Sequence, residues 1–324
     1  YGRIREGDIV VLRPYNATSI QDGILTKPLA ADGKIDHHGG TISHSSIIGL
    51  TPRETVQSTK RAVYRVFEPT LADYITLTPR CVTPIYPGDA NLIVSLLDIH
   101  VTPPGTDDDP LEILEVGTGH GSLTLNLARA IHAANEPAPP LPAERPRRST
   151  SDRGSADAPE VDAETVAAAE AFAAWKSRRR AVIHTLDVAA AHSRAAQKIV
   201  RGFRRGLYYG HVDFHISDLA TLDAIPEVTQ SSTPSPPEPR TDPTPFIAHA
   251  TLDFPGSDAA LPLISRTVCV GGRVVVFCPS VTQIVACVEA VRAQKLPLVL
   301  ERVVELASGM SAGREWDVRA APVR

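Results

Sequence analysis

Two different patterns of hydrophobic and polar residues divide the chain. Up to about residue 80, short apolar runs separated by turn residues predict β-strands, and no stretch shows helical periodicity. After residue 80, apolar strand-like runs alternate with segments whose apolar residues recur at helical spacing. Such alternation is typical of a mainly parallel, doubly wound α/β sheet. The pattern therefore predicts a small all-β domain over 1–80, built as a barrel or meander, and an α/β domain over 81–324.

The same pattern predicts where the individual elements lie. In the first domain the predicted strands are 8–13, 47–49 and 63–66, with turns at 32–34 and 38–40. In the second domain the predicted strands are 111–116, 181–186, 212–216, 246–252, 273–277, 299–305 and 315–319. The predicted helices are 90–97, 122–131, 189–203, 261–268 and 281–292, with Asp89 as an N-cap and Gly271-Gly272 as a turn. The last two strands are close enough in sequence to pair as an antiparallel hairpin.

Two polar inserts interrupt the α/β pattern, near 133–180 and 227–245. Residues 133–160 contain almost no large apolar side chains, which predicts disorder, and 161–180 predicts a helix that ends in three arginines. Residues 227–245 are rich in Pro, Ser and Thr and predict an exposed loop. The three arginines are compatible with RNA contact and equally with a surface insertion that has no function.

A glycine-rich turn follows the first predicted α/β strand and reads Glu-Val-Gly-Thr-Gly-His-Gly-Ser-Leu from Glu115. Alternating glycines allow positive φ angles and a close approach of the backbone to a ligand. A dinucleotide-binding turn would have a third glycine at Ser122, and an acid before the glycines repels a pyrophosphate but suits an amine-bearing ligand. The turn resembles motif I of the class I methyltransferases; the alternative is a glycine-rich corner without a ligand. This resemblance implies S-adenosylmethionine as cofactor, bound by Glu115, Gly117, Thr118, Gly119, His120, Gly121, Ser122 and Leu123.

Carboxylates stand at the carboxyl ends of four consecutive predicted strands, and ligands of open α/β sheets bind at those ends. They are Glu115, Asp187, Asp218 and Asp253. Asp187 is predicted to accept from both ribose hydroxyls and Asp218 from the adenine exocyclic amine. Asp253, where the transferred methyl group would point, is predicted to hold or deprotonate an amine-type nucleophile and is the expected catalytic residue. For each acid alone, a role as helix cap or loop residue is the alternative.

Composition changes this picture little. The net charge of −4 gives no global signal for nucleic acid, so RNA binding would depend on local patches. No apolar run is long enough for a membrane span. The four cysteines form no C-x-x-C pair, so we expect free thiols and no metal site. The chain begins at Tyr1 without a methionine, and we expect that an amino-terminal segment has been removed.

At the level of the whole chain, the sequence resembles the catalytic subunits of the tRNA adenine-58-N1 methyltransferases. The residues that carry the resemblance are 7–12, 38–39, 44, 47–49, 68–74, 80, 85–90, 115–124, 252–255, 271–279, 283 and 314–318. The resemblance implies a class I methyltransferase fold and formation of 1-methyladenosine in RNA, with tRNA as the expected substrate and rRNA as another. It also implies a homotetramer, or an assembly with a related non-catalytic subunit.

Three departures from the family pattern affect location and activity. The segment Val82-Thr83-Pro84 is closer to the mitochondrial branch, which favours the mitochondrial matrix, with the nucleus and cytoplasm left open. Residues 255–258 contain no aromatic residue near the expected target base, and Asp187 stands where Glu is more common. An alternative is therefore a catalytically degenerate relative that binds RNA or serves as an assembly subunit.

Overall fold

Two kinds of β-sheet follow the change in hydrophobic pattern. The structure is a computed structural model that describes residues 2–17, 23–105, 109–142, 163–217, 219 and 245–305. An antiparallel sheet and a hairpin lie before residue 68, and a five-stranded parallel sheet begins at residue 111. The predicted α/β class with a preceding all-β region is confirmed.

The amino-terminal strands form one four-stranded sheet and one separate hairpin. The antiparallel sheet has the order β2-β1-β6-β5, and β3 pairs with β4. Its core is apolar and includes Val10, Leu12, Ile47 and Val66. The strands are β1 (Val11–Pro14), β2 (Ile24–Leu25), β3 (Lys34–His37), β4 (Gly40–Ser43), β5 (Thr55–Gln57) and β6 (Val63–Phe67).

The predicted strand at 47–49 is wrong. These residues form a turn after a short 3-10 helix, His44–Ser46, whose first turn is capped by the Ser43 hydroxyl accepting from the Ser45 N–H. Ile47 is fully buried in the core, and Gly49 adopts a φ of 95° that reverses the chain. The apolar side chain therefore fills the core from a turn, which hydrophobicity alone cannot distinguish from a strand.

The parallel sheet has the order β11-β10-β7-β8-β9, and helices follow β7, β8, β10 and β11 along the chain. Strand β7 lies at the centre, and its side chains from Glu112 to Val116 are buried. The strands are β7 (Leu111–Val116), β8 (Ala181–Asp187), β9 (Val212–Ile216), β10 (Ile247–Leu252) and β11 (Val268–Val276). The helices are α1 (Leu71–Leu77), α2 (Pro87–Leu97), α3 (Ser122–Ile131), α4 (Ala163–Lys176), α5 (Ala190–Gly202), α6 (Ser257–Thr267) and α7 (Val281–Ala293).

Several boundaries differ from the prediction, among them β1, which begins at Val11, and α4, which ends at Lys176. Helix α2 begins at Pro87, so Asp89 lies within its first turn and Tyr86 is the N-cap. Helix α6 begins at Ser257, earlier than expected, and ends one residue before β11. Gly271 and Gly272 lie inside β11 and do not form a turn between elements. A Cβ on Gly272 would come within 2.3 Å of the Ala248 carbonyl oxygen in the neighbouring strand, so this position requires glycine.

The predicted strand at 299–305 is also wrong, since these residues have no regular structure. An ion pair of 3.0 Å between Arg273 and Glu301 holds them beside β11 without a strand ladder. A strand needs a backbone partner, and the expected hairpin partner at 315–319 lies outside the described residues. The same holds for 143–162 of the first insert and 227–244 of the second.

Helix α1 connects the antiparallel sheet to the α/β core. Asp73 forms a capping box with Thr70 and accepts from Arg13 of β1 at 2.6 Å. One position later, the Tyr74 hydroxyl donates to the Ile199 carbonyl of α5 at 2.9 Å. Two consecutive residues of one helix therefore hold the two parts of the chain together, close to the predicted domain boundary at residue 80.

Helix α4 belongs to the predicted insert but is bound to the sheet. Trp175 is buried and donates to the Glu136 carbonyl at 3.1 Å. Arg179, with a side chain only 5% exposed, contacts both carboxylate oxygens of Asp213, and Lys176 contacts one of them. Burial opposes ionisation of Asp213, but Arg179 and Lys176 lower its pKa below the usual value. The central arginine of the predicted basic end is therefore internal.

We predict that Asp213→Ala destabilises the fold by about 3 to 5 kcal/mol, because it leaves the Arg179 charge buried without its carboxylate. The free energy of unfolding in urea measures the effect. The control is Asp36→Ala, which removes a 4.0 Å ion pair with Lys34 between side chains that are 65% and 69% exposed, and should cost less than about 1 kcal/mol. An equal decrease in the free energy of unfolding in both variants would contradict the role assigned to the buried ion pair of Asp213 and Arg179.

Candidate functional site

Parallel register brings the acidic strand ends together. Glu115 of β7 pairs with Thr185 of β8 on one side and Thr251 of β10 on the other. The residues that follow are also bonded, since the Gly117 N–H donates to the Leu186 carbonyl and the Asp253 N–H donates to the Val116 carbonyl, both at 2.9 Å. The register therefore places Glu115, Asp187 and Asp253 at one edge of the sheet, as the sequence predicts.

Glu115 is 1% exposed and is the most deeply placed of these acids. Its Oε2 accepts from the Thr124 hydroxyl at 2.6 Å, and its Oε1 has no hydrogen-bond partner among the described residues. Burial raises the pKa of Glu115 to about 7; the hydroxyls of Thr124 and Thr185 oppose the shift, and the charges of Asp253 and Asp187 add to it. The carboxyl group is thus poised to ionise when a cationic donor arrives.

The turn between β7 and α3 requires glycine. Gly117 has a φ of 99°, and a Cβ on it would lie 2.2 Å from the Asp253 carbonyl oxygen. Gly121 has a φ of 83° and faces Ala196 of α5, whose Cβ would be 3.2 Å away from an added Cβ. The first glycine therefore lets β10 approach the turn, and the last lets α5 pack beneath it.

Asp187 stabilises the turn from the neighbouring strand. Its Oδ2 accepts from the Gly119 N–H at 3.1 Å and its Oδ1 from the Ala189 N–H at 2.8 Å. His192 of α5 lies 3.7 Å from Oδ1 with a half-exposed side chain. A carboxylate oxygen has two acceptor positions, so Asp187 can bind further hydroxyl donors while it holds the turn.

A narrow cleft separates the turn from the segment before α2, here called the junction segment (79–86). The Ser122 hydroxyl donates to the Ile85 carbonyl at 2.5 Å, and a Cβ on Gly119 would touch Val82 at 3.6 Å. The cavity is about 20 Å³, which is room for about one water molecule. The lining residues are Thr83, Ile85, Glu115, Gly117, Thr118, Gly119, His120, Ser122, Leu123 and Asp253.

Asp253 follows β10 at the mouth of this cleft, and burial raises its pKa above the usual value. Such a carboxylate accepts a proton more readily than a solvated one does. Phe254, next in the chain, packs against the core between β10 and α6. The acid is therefore the polar group of this loop that faces the cleft.

Most residues predicted for the site meet at this cleft. Gly121 lies in the turn but faces α5, Asp187 stands at the rim, and Asp218 lies outside the described residues. The prediction missed Thr124, which donates to Glu115, and Thr83 of the junction segment. No sequence signal relates Thr124 to Glu115 or the junction segment to the turn, because both contacts form only in the folded chain.

Comparison with known proteins supports the expected resemblance over part of the chain. No family model matches. The chain is 38% identical over 99 residues to the tRNA (adenine(58)-N(1))-methyltransferase TrmI of Thermus thermophilus, in two strains; the match covers 31% of this chain and 36% of the relative. The chain therefore matches about a third of the length of these curated relatives.

Two solved structures show the fold. A SAM-dependent O-methyltransferase from Thermotoga maritima superposes with a TM-score of 0.59 at 15% identity, covering 90% of this chain and 79% of that one. The tRNA (m1A58) methyltransferase TrmI from Aquifex aeolicus superposes with a TM-score of 0.55 at 17% identity, covering 90% and 83%. The Rossmann-like fold of class I methyltransferases, expected from the sequence, is confirmed.

We predict that Gly117→Ala lowers the free energy of unfolding by more than about 3 kcal/mol. The new Cβ collides with the Asp253 carbonyl oxygen, and an alanine also disfavours the positive φ of this position. The control is Gly49→Ala, at a φ of 95° with no atom within 4 Å, where the strained φ alone should cost about 1 to 2 kcal/mol. Urea denaturation of both variants measures the difference. If Gly117→Ala is no worse than Gly49→Ala, the close approach of β10 is not a constraint.

Proposed function

We propose that this chain is an S-adenosylmethionine-dependent RNA methyltransferase that forms 1-methyladenosine, with adenine 58 of tRNA as its target. The methyltransferase fold and the partial identity to a tRNA (adenine(58)-N(1))-methyltransferase support the reaction class. The single observation that carries the proposal is the buried Oε1 of Glu115, at the end of β7 before the glycine turn, which has no hydrogen-bond partner among the residues that the structure describes. An acceptor without a partner at that depth is costly unless a ligand supplies the donor.

The residues at the strand ends fit this cofactor. Glu115 Oε1 can accept from the α-amine, and ionisation of the carboxyl group adds charge complementarity to the sulfonium and amine. Asp187, held at the rim by Gly119 and Ala189, can accept from ribose hydroxyls. The cluster of acids repels phosphate groups, which this cofactor lacks. The site is therefore better suited to S-adenosylmethionine than to a dinucleotide.

Asp253 serves the target base in this proposal. The cofactor supplies an electrophilic methyl group on sulfur. Methyl transfer to N1 would leave the adenine positively charged and its exocyclic N6 amine more acidic. Asp253 accepts the hydrogen bond from N6 and takes the proton, a task that its raised pKa favours. An adenine that is stacked in folded RNA would have to leave its stack for its N1 to reach the cleft.

Location and assembly remain part of the proposal. The likeness of residues 82–84 to the mitochondrial branch supports the mitochondrial matrix, and the family resemblance supports a homotetramer or a pairing with a related non-catalytic subunit. Across the described ranges, no helix is both long and apolar enough to cross a membrane.

A catalytically degenerate relative is the second candidate. It is favoured by the loop at 255–258, which offers no aromatic side chain for the target base, and by Phe254, which packs into the core. Such a protein would bind RNA or another subunit without methyl transfer. Retention of Glu115, Asp187 and Asp253 at one edge argues for the active enzyme.

We predict that affinity for S-adenosylmethionine rises about tenfold or more from pH 5.5 to 7.0. Over this range the Glu115 carboxyl group, with a pKa of about 7, ionises, while an α-amine stays protonated. Calorimetric titration at several pH values measures the trend. In Glu115→Gln, which keeps the shape of the side chain and cannot ionise, affinity should be lower and nearly independent of pH. A flat profile in the wild-type protein would contradict the assignment of Glu115.

We also predict that Asp253→Asn lowers methylation of unmodified tRNA by about 100-fold or more, because the proton acceptor is lost, and leaves cofactor affinity within a few-fold. Transfer from labelled S-adenosylmethionine, followed by mapping of 1-methyladenosine, measures it. The control is Asp258→Asn, the same change five residues later in α6, which should retain activity. Cofactor binding without any methyl transfer by the wild-type protein would support the degenerate alternative.

A further inference from the structure

A second cavity, of about 460 Å³, lies between the segment that follows α3, residues 137–141, and the turn that follows α5, residues 204–207. One of its lining residues, Asn135, accepts from the N–H of Ala181, the first residue of β8. The cavity therefore lies at the amino ends of the parallel strands, whereas the cleft lies at their carboxyl ends. Small-molecule sites have volumes of about 300 to 1,000 Å³, so this cavity is large enough for a ligand of its own.

The fold holds both walls of this cavity in place. Arg201 of α5 donates to the Pro142 carbonyl at 2.5 Å, which anchors the segment after α3. In the opposite wall, Arg204 and Arg205 have φ angles of 45° and 57°. A left-handed conformation costs about 1 to 2 kcal/mol per residue, and such strain is concentrated at functional sites. The strained turn is further fixed by Arg205, whose Nε donates to Asp8 at 2.6 Å.

Arg204 supplies a cation that the fold does not neutralise. It is exposed and lines the cavity, and it forms no ion pair with any carboxylate in the described ranges, whereas Arg205 is paired with Asp8. Its guanidinium carbon lies 5.6 Å from the centroid of the buried Phe203 ring. A guanidinium group is a donor with no acceptor atoms, so Arg204 favours an anion at the cavity.

A chain of hydrogen bonds fixes a second donor, on His132. Because the Asn135 Oδ1 accepts from the Ala181 N–H, its Nδ2 is a donor, and the His211 Nδ1 accepts from it at 2.9 Å. Burial, more than any other cause, lowers the pKa of His211 to about 3, so the ring is neutral and its one proton is on Nε2. This Nε2–H donates to the His132 Nδ1 at 2.8 Å.

The remaining nitrogen of His132 is left to a ligand. Burial lowers the pKa of His132, so the ring is neutral near pH 7 and carries its proton on Nε2. His132 lines the cavity, and its Nε2–H has no hydrogen-bond partner in the part of the chain that the structure describes. The cavity thus combines one charged donor and one neutral donor, and none of its lining residues is acidic.

We propose that this cavity binds a small organic carboxylate, whose oxygens accept from Arg204 and from the His132 Nε2–H while its apolar body packs against Leu141 and Leu207. A single unneutralised arginine matches the charge of a carboxylate. It suits RNA less well, since RNA binding depends on several phosphate contacts along a basic surface. The site is additional to the proposed methyl transfer and does not depend on it.

The test uses naphthalene-1-carboxylate as the probe and the neutral naphthalene-1-carboxamide, of nearly the same shape, as its reference. Calorimetry on the full chain should show one carboxylate bound per chain, about tenfold or more tighter than the amide. Arg204→Met keeps most of the stem and removes the charge. It should weaken the carboxylate about 10- to 100-fold, the effect of a hydrogen bond to a charged group, and leave the amide within about twofold.

The matched control is Arg194→Met, which removes an exposed arginine of α5 outside the cavity lining and should change neither affinity. Ala133→Phe, which fills part of the cavity, should weaken both probes. If Arg204→Met fails to fold, the His132 Nε2–H resonance of the wild-type protein, assigned by its loss in His132→Phe, should still shift on addition of the carboxylate and not of the amide.

Three results would overturn the proposal. They are equal affinities of the wild-type protein for the two probes, the same loss in Arg194→Met as in Arg204→Met, and displacement of the carboxylate by unmodified tRNA, which would assign Arg204 to RNA contact. None of them bears on the proposed methyl transfer, because the cleft and this cavity share no lining residue.

Discussion

The close approach of the Asp253 backbone to Gly117 is the constraint on which the site depends. Strands β7 and β10 are neighbours in the sheet, and the chain leaving β10 passes directly over the start of the glycine turn. Only a residue without a Cβ allows that path, and the path brings the Asp253 side chain to the cleft that also contains Glu115. The fold and the chemistry of the site are therefore coupled through one backbone contact.

The second constraint is electrostatic. Three carboxylates share one edge of the sheet, and burial keeps the Glu115 pKa near 7. Because this value lies above the 4.5 expected for an exposed glutamate, the folded chain holds an extra proton between about pH 4.5 and 7. The contribution of Glu115 to stability therefore falls as pH rises through that window. A bound cation offsets this loss of stability. The buried Glu115 carboxyl group, which lowers the stability of the fold when it ionises, therefore favours a cationic ligand.

The parts of the fold and of the candidate site that can be predicted are those whose conformation depends on residues nearby in the sequence. Strand β7 and helix α3 were predicted within a residue, because a fully buried strand and an amphipathic helix have distinct periodicities. The turn at Gly49 was not predicted, because it depends on the burial of Ile47 in the core. The strand containing Gly272 was not predicted either, because it depends on the Ala248 carbonyl in the neighbouring strand. Likewise, the glycine pattern located the turn after β7, but only the tertiary structure shows that Asp187 and Leu186 accept hydrogen bonds from three of its N–H groups.

Those occupied donors explain how a single turn can select between ligand classes. A phosphate-binding turn presents free N–H groups to an anion, whereas here Asp187 takes the Gly119 N–H and Leu186 takes two more. Those three N–H groups are therefore not available to an anion, and the side chains of Glu115 and His120 are buried beside the turn. Selectivity of the turn thus comes from the neighbouring strand as much as from the glycines themselves.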